Sequence, residues 1–309
     1  MSEALTGTAR QNPSRIRRFI KKGAGSVVFR SQAYRRLLLF KHFIASSYAA
    51  MRAPHLFDDV QTYCMFVGHN KSGTSMVGAL LDAHPDAIIS DEAEALQFVR
   101  AGFSRNQIFH LLLRRSHKEF HKGRVTARSL QSYSYLVPDQ WQGRYRSLRV
   151  IGDSTAGSST RMIAAESGML NQLAGIMRGV NVKFIQTIRN PYDPISVMMV
   201  RGRRSFENAI GMYFSHCETL AQLHQRFDEE QLHMVRYEDF VRESELQLAE
   251  LCRFLGLSAD TDYLKACASI LHDTPQTSRQ MVQWDARHIK QVAREMERFD
   301  FLKGYHFEE

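Results

Sequence analysis

An apolar run, Cys64-Met65-Phe66-Val67, leads straight into Gly68-His69-Asn70-Lys71-Ser72-Gly73-Thr74-Ser75, and a helical apolar period follows. A strand that stops on a glycine, meets a second glycine five residues later and enters a helix reads as a phosphate-type loop. Its backbone N–H groups point at an anion, and the helix N-terminus adds the equivalent of roughly half a positive charge. Ser72, Thr74 and Ser75 bring hydroxyl donors to the same place. In nucleoside triphosphatases the loop has the form G-x-x-x-x-G-K-[ST]; the lysine reaches the β- and γ-phosphates and the hydroxyl holds Mg²⁺. Here Gly68 and Gly73 keep the spacing, but Thr74 stands in the lysine position and Lys71 comes two residues before Gly73. No strand ending in a Walker-type aspartate is convincing. The loop suits a shorter anion with no metal; the plain alternative is a strand–turn–helix junction.

The rest of the chain alternates short apolar runs with longer helical periods. Tyr63–Gly68, Arg149–Gly152, Val182–Ile188 and Leu232–Arg236 read as strands. Gly73–Ala83, Glu92–Ala101, Asn106–Arg115 and Ser244–Leu255 read as helices, the last stopped by Gly256. Strands separated by helices of this length predict an α/β fold, a P-loop-like parallel sheet flanked by helices on both faces. Ligands of such sheets bind beyond the carboxyl ends of the strands. Lys71, Asp153, Arg189 and Tyr237 each follow a strand, so four strand ends converge on one edge.

Charge divides the chain. Residues 1–56 carry eleven Lys and Arg against one acid, Glu3, while residues 57–309 carry 30 basic and 31 acidic residues. The division predicts a basic N-terminal extension, 1–56, and a globular domain, 57–309. The neutral domain gives no ground for nucleic-acid binding. In the extension, Arg15-Ile16-Arg17-Arg18-Phe19-Ile20-Lys21-Lys22 and Tyr34-Arg35-Arg36-Leu37-Leu38-Leu39-Phe40-Lys41 place apolar and basic residues at roughly helical spacing. Three readings stand open. Residues 10–41 form an amphipathic helix on an anionic membrane or against an acidic partner; they are an Arg-rich, acid-poor transit peptide; or they are a solvated extension that packs a few leucines on the domain. Charges interrupt every apolar run, which argues against a secretory signal, and no run of about 18 apolar residues predicts a transmembrane helix. Cys64, Cys217, Cys252 and Cys267 form no C-x-x-C pair and read as reduced, buried thiols of a cytoplasmic protein, peripheral at a membrane in the first reading.

Two segments together carry a family resemblance. Lys71-Ser72-Gly73-Thr74-Ser75 resembles the 5′-phosphosulfate loop of the sulfotransferases, and Val182–Ile188 followed by Arg189-Asn190-Pro191-Tyr192-Asp193 resembles their 3′-phosphate motif. Val235-Arg236-Tyr237-Glu238-Asp239-Phe240, then Phe254-Leu255-Gly256-Leu257, is similar to a later segment of the family, and the resemblance covers roughly residues 60–305. It implies a sulfotransferase fold and 3′-phosphoadenosine 5′-phosphosulfate (PAPS) as co-substrate, with adenosine 3′,5′-bisphosphate (PAP) as product. Asn70, Lys71, Ser72, Gly73, Thr74 and Ser75 would then cradle the 5′ end, and Arg189 the 3′-phosphate. The family places a serine about eight residues after that arginine; here Val197 holds the position and Ser196 precedes it, so the resemblance reaches Ser196 only with a shift of register. Tyr237 matches a nucleotide-contacting tyrosine, with a core tyrosine as the alternative. Ser278-Arg279 and Trp284 resemble a loop that closes over the nucleotide, and a solvated Arg279 is the alternative.

Leu81-Asp82-Ala83-His84-Pro85 followed by Asp91-Glu92 is similar to tyrosylprotein sulfotransferases. By that resemblance Glu92 matches their catalytic base, with Glu94 as the other acid near by and a helix's charged first turn as the structural alternative. His69, His84 and His110 have no context matching the histidine base of cytosolic sulfotransferases. Lys71 supplies the positive charge that sulfuryl transfer needs on the departing oxygen. The tyrosylprotein enzymes' lysine near Gly152–Thr160 is lacking here, which weakens protein tyrosine as the acceptor and leaves a small molecule, glycan or lipid. Residues 102–148, rich in Arg, His and Tyr, are expected to shape the acceptor pocket. The competing functions are a nucleotide kinase or NTPase with a variant loop, and an inactive scaffold acting through its basic arm. The oligomeric state is left open.

Overall fold

The computed structural model describes residues 32–125, 133–272 and 274–308. Helix α1 (Gln32–Arg52) precedes strand β1 (Thr62–Gly68) and helix α2 (Thr74–Asp82). Then follow β2 (Ala87–Ser90), α3 (Ala95–Arg100), α4 (Arg105–His121), β3 (Val150–Asp153), α5 (Gly157–Ala165) and α6 (Met169–Ile176). The chain continues through β4 (Asn181–Ile188), α7 (Tyr192–Gly202), α8 (Phe206–Arg226), β5 (Leu232–Arg236), α9 (Tyr237–Arg242), α10 (Ser244–Leu255), α11 (Thr261–Ala268) and α12 (Ala286–Met296).

The strands form one sheet in the order β2-β3-β1-β4-β5, and every pairing is parallel. Successive residues of a strand face opposite sides, and β1 shows both sides buried. Tyr63, Met65 and Val67 enter one apolar cluster with α3, α4, α6, α7, α8 and α12, while Cys64 and Phe66 enter another with α2, α9, α10 and α11. The expected parallel sheet with helices on both faces is therefore present. The chain leaves β1 toward β3 and β2, then returns past β1 to β4 and β5. That reversal falls at β1, and the carboxyl end of the strands at such a switch point is where an open α/β sheet binds its ligand.

Three expectations need correction. The sheet has a fifth strand, Ala87-Ile88-Ile89-Ser90, too short to stand out as a run. The helix expected from Glu92 begins only at Ala95, because Glu92 and Glu94 both take left-handed backbone (φ 47° and 57°). The strand expected at Arg149–Gly152 runs from Val150 to Asp153 and so includes the aspartate that was expected to follow it.

Asp82 gives the Leu81–Pro85 stretch a structural task. Its fully buried carboxylate accepts from the N–H groups of Ile89 (2.7 Å) and Gly143 (2.9 Å), from Ser116 Oγ and from the Arg124 guanidinium. One side chain thus joins α2, β2 and α4. The four cysteines are buried and unpaired, as expected. Of the basic extension, Arg15–Lys22 lies outside the described residues, while Tyr34–Lys41 lies in α1, which packs on α4. No described helix is long and apolar enough to cross a membrane.

Candidate functional site

The loop after β1 is held open by residues from three other elements. Gly68 has φ 130°, and a Cβ on it would stand 2.5 Å from the Thr187 carbonyl, so the loop can leave the sheet there only as glycine. The Gly68 N–H donates to Thr160 Oγ1 at 2.9 Å, which fastens the loop to α5. Thr74 Oγ1 meets Thr187 Oγ1 at 3.0 Å, fastening the start of α2 to the end of β4. Lys71 and Gly73 are left-handed (φ 72° and 85°). A Cβ on Gly73 would come within 2.7 Å of the Tyr237 ring, so glycine lets that ring close against the loop.

Within this frame Asn70 and Lys71 are exposed at the crown. Asn70 Oδ1 lies against Gly157, the first residue of α5; a Cβ there would be 2.5 Å from it. Ser72 is only 1% exposed, and its Oγ has no hydrogen-bond partner among the described residues. A buried hydroxyl costs free energy when unpaired. The hydroxyl sits in a loop whose backbone N–H groups suit an anion.

Arg189 follows β4 and is buried. It donates to the carbonyls of Lys71 (3.1 Å) and Gln276, and its guanidinium carbon sits 4.6 Å from the Tyr237 ring centre. Its Nε lies 3.5 Å from the Asp193 carboxylate. Asp193 also takes the Arg279 guanidinium, and the Ser278 and Arg279 backbone N–H groups. Arg279 is buried rather than solvated, and its Nη1 donates to the Phe307 carbonyl at 2.8 Å and to that of His306. Ser196 is fully buried; it donates to the Tyr192 carbonyl (2.7 Å) and accepts from Trp284 Nε1 (2.9 Å). The structure thus brings Lys71, Arg189 and Tyr237 together. It commits the polar groups of Arg279 and Ser196 to the protein interior.

Asp153 organises the acidic side. Its carboxylate accepts from the N–H groups of Ala93 (3.1 Å) and Ala95 (2.7 Å) and from Thr155 Oγ1 (2.8 Å). Those bonds impose the left-handed turn that carries Glu92 and Glu94, and they occupy the carboxylate that a metal would need. Burial pushes the Asp153 carboxyl up to about 6, against the downward pull of its donors. Glu92 is exposed on the turn. Glu94 accepts from Ser158 Oγ at 3.4 Å, next to the Gly157 that faces Asn70, and from Gln97. Sequence reasoning missed Asp153, Thr160, Thr187 and Asp193 as organisers. An aspartate at a strand end followed by Ser154-Thr155 was the available signal.

Beside the loop, His69 is buried, stacks on Tyr213 at 3.8 Å and meets Cys217 Sγ at 3.5 Å. Burial, then His216, holds its pKa well below the usual range, so it is neutral. Among the described residues, no group of three or more His, Cys, Asp or Glu is placed to hold a metal ion.

A sequence profile described as the sulfotransferase family matches residues 65–262. Among solved structures, the chain is similar to a sulfotransferase domain of the olefin synthase of Synechococcus PCC 7002 (13% identity, 78% of this chain and 94% of that one, TM-score 0.46). It is also similar to a sulfotransferase of Alicyclobacillus acidocaldarius (19% identity, 79% and 96%, TM-score 0.45). A third is the mouse sulfotransferase SULT7A1 in complex with PAP (13% identity, 78% and 86%, TM-score 0.41). No curated protein matches.

Proposed function

The chain belongs to the sulfotransferase family, and on that premise we propose that it transfers the sulfuryl group of PAPS to a hydroxyl or amine of an acceptor. The observation that carries this reading is the buried, unpartnered Ser72 Oγ at the crown of a loop whose lysine precedes its second glycine. The residues present fit the nucleotide. Asn70, Lys71, Ser72, Gly73, Thr74 and Ser75 hold its 5′ end, and Arg189, Tyr237 and, more remotely, Ser196 and Arg279 shape the 3′ side. When bound, the nucleotide supplies an activated sulfuryl group on a stable leaving phosphate.

The chain's own residues supply the rest. Lys71 sets positive charge where the departing oxygen becomes anionic. Glu92 takes the acceptor's proton as the new bond to sulfur forms, and the left-handed turn pinned by Asp153 aims it. Glu92 is the acid that matches the family's base by resemblance; Glu94, whose carboxylate accepts from Ser158 and Gln97, is the other acid on the turn. The acceptor is a small molecule, glycan or lipid. Four buried free thiols support work in a reducing, cytoplasmic compartment.

Isothermal titration calorimetry tests the reading. Adenosine 3′,5′-bisphosphate is expected to bind at micromolar concentration without Mg²⁺. Mg²⁺-dependent ATP binding with no affinity for the bisphosphate would favour a variant-loop kinase or NTPase instead.

A further inference from the structure

Helix α1 turns two apolar faces outward from its axis, and only one of them meets the protein. Leu39 packs on the core, His42 meets Phe98 edge-on and Ser46 is buried, all on the inner side. On the opposite side Leu37, Phe40, Ile44, Tyr48 and Met51 are 64%, 63%, 53%, 61% and 73% exposed. Spacings of three and four residues put these five on one stripe, about 21 Å long at the rise of an α-helix. Six of the twelve large apolar residues exposed among the described residues lie on this one helix. Scattered exposed apolar residues are ordinary, whereas a continuous stripe of them marks an interaction surface.

The charges beside the stripe identify what it meets. Residues 32–52 contain Arg35, Arg36, Lys41 and Arg52 and no acid. On the helical wheel Lys41 and Arg52 border the stripe on one side and Arg36 on the other. Burial, and then the charges of Arg114, Lys41 and Lys118, hold the His42 imidazole below its usual range, so Arg114 and Lys118 of α4 act on the inner side of α1 together with Lys41. A cavity of about 510 Å³ between α1 and α4 is lined by Ala45, Ala49 and Leu111 and carries Arg114 and Arg144, with no acid among the described residues of its lining. A second copy of the helix would bring the same cations with no acid to meet them. Residues 1–31 are no better matched, with seven Lys and Arg against Glu3.

We propose that this face of α1 docks the protein on an anionic phospholipid surface, the stripe lying at the boundary of headgroups and acyl chains and Arg36, Lys41 and Arg52 among the headgroup phosphates. An interfacial helix of this kind binds through buried apolar area plus attraction to anionic lipid. The inference is independent of the chemistry assigned to the phosphate loop.

Flotation of the full-length protein with phosphatidylcholine vesicles, with and without phosphatidylserine, tests it. The wild type is expected to float with the phosphatidylserine vesicles and not with phosphatidylcholine alone. The variant Phe40→Ser/Ile44→Ser/Tyr48→Ser is expected to bind roughly tenfold or more weakly, although it retains every cation of residues 1–31. Lys41→Glu/Arg52→Glu is expected to lose the preference for anionic lipid. Leu246→Ser, an exposed leucine on another helix, controls for general surface change and is expected to bind as the wild type does. All substituted residues are exposed, and an unchanged melting temperature verifies the fold. Undiminished flotation of the triple variant would overturn the proposal. So would failure of the wild type to bind, with sedimentation showing a dimer that the same three substitutions dissociate.

Discussion

The Arg189 guanidinium donates to the Lys71 carbonyl at 3.1 Å, so the cation that ends β4 is fastened to the backbone of the loop that ends β1. Arg189 also reaches the Gln276 carbonyl and stacks on Tyr237. The arginine therefore spans loop, sheet edge and C-terminal segment in one step, and anything bound beyond the sheet meets an already ordered cation.

Arg189→Ala is expected to weaken binding of adenosine 3′,5′-bisphosphate by about 2–4 kcal/mol, the range for removing one partner of a desolvated charge pair. Titration calorimetry reads it directly. Wild-type affinity combined with slow turnover would remove Arg189 from nucleotide binding.

Lys71 sits on exposed, left-handed backbone at the loop's crown, so its side chain can change without disturbing the core. Lys71→Ala is expected to lower turnover by about 10²–10³, the usual effect of losing one charge that stabilises a transition state. Melting temperature is expected to hold. An unchanged rate with a productive acceptor would take Lys71 out of the chemistry.

Much of this was legible in the sequence because it is local. Strands β1, β4 and β5 announce themselves as apolar runs bounded by glycine, arginine or tyrosine, and the loop's donors are contiguous. The four residues of β2, between Pro85 and Asp91, are shorter than any reliable periodic signal. The bent backbone at Glu92 and Glu94 was hidden because its cause, Asp153, lies some sixty residues away. The burial of Arg279 was hidden from both sequence readings, a nucleotide-closing loop and a solvated arginine, because its partners, Asp193 and the carbonyls of His306 and Phe307, are distant in sequence. Pairings fixed by tertiary contact leave no periodic trace.

Glu92 and Glu94 share one left-handed turn, and the Glu94 carboxylate accepts from Ser158 and Gln97. Glu92→Gln is expected to reduce turnover by about 10²–10⁴, as loss of a general base does, with bisphosphate affinity intact. Glu94→Gln keeps a hydrogen-bonding group facing Ser158 and Gln97 and is expected to cost much less. The reverse order of the two rates would transfer the base to Glu94.

Gly73 is constrained twice, by φ 85° and by the Tyr237 ring 2.7 Å from where a Cβ would be. Gly73→Ala is expected to cost about 1–3 kcal/mol of stability through the backbone conformation alone, with further cost from the clash. Tyr237→Ala removes the clash and leaves the backbone strain. The two substitutions should therefore be less than additive in thermal unfolding. Strict additivity would show that the ring does not press on the loop.

Asp153 makes the acidic turn sensitive to pH in a definite direction. Its folded pKa of about 6 lies above the ordinary aspartate value of 3.8, so between those two values the folded chain binds more proton than the unfolded one. Stability then falls as pH rises through that window, and the contribution is fully present only below it. Asp153→Asn cannot titrate, but its amide N–H₂ faces an N–H donor where the carboxylate accepted one, so it is expected to be less stable than the wild type. The gap between the two melting temperatures is expected to narrow as pH rises from about 4 to about 6 and to level off above. A gap that widens over that range would mean that the donors of Ala93, Ala95 and Thr155 outweigh burial and hold Asp153 ionised throughout.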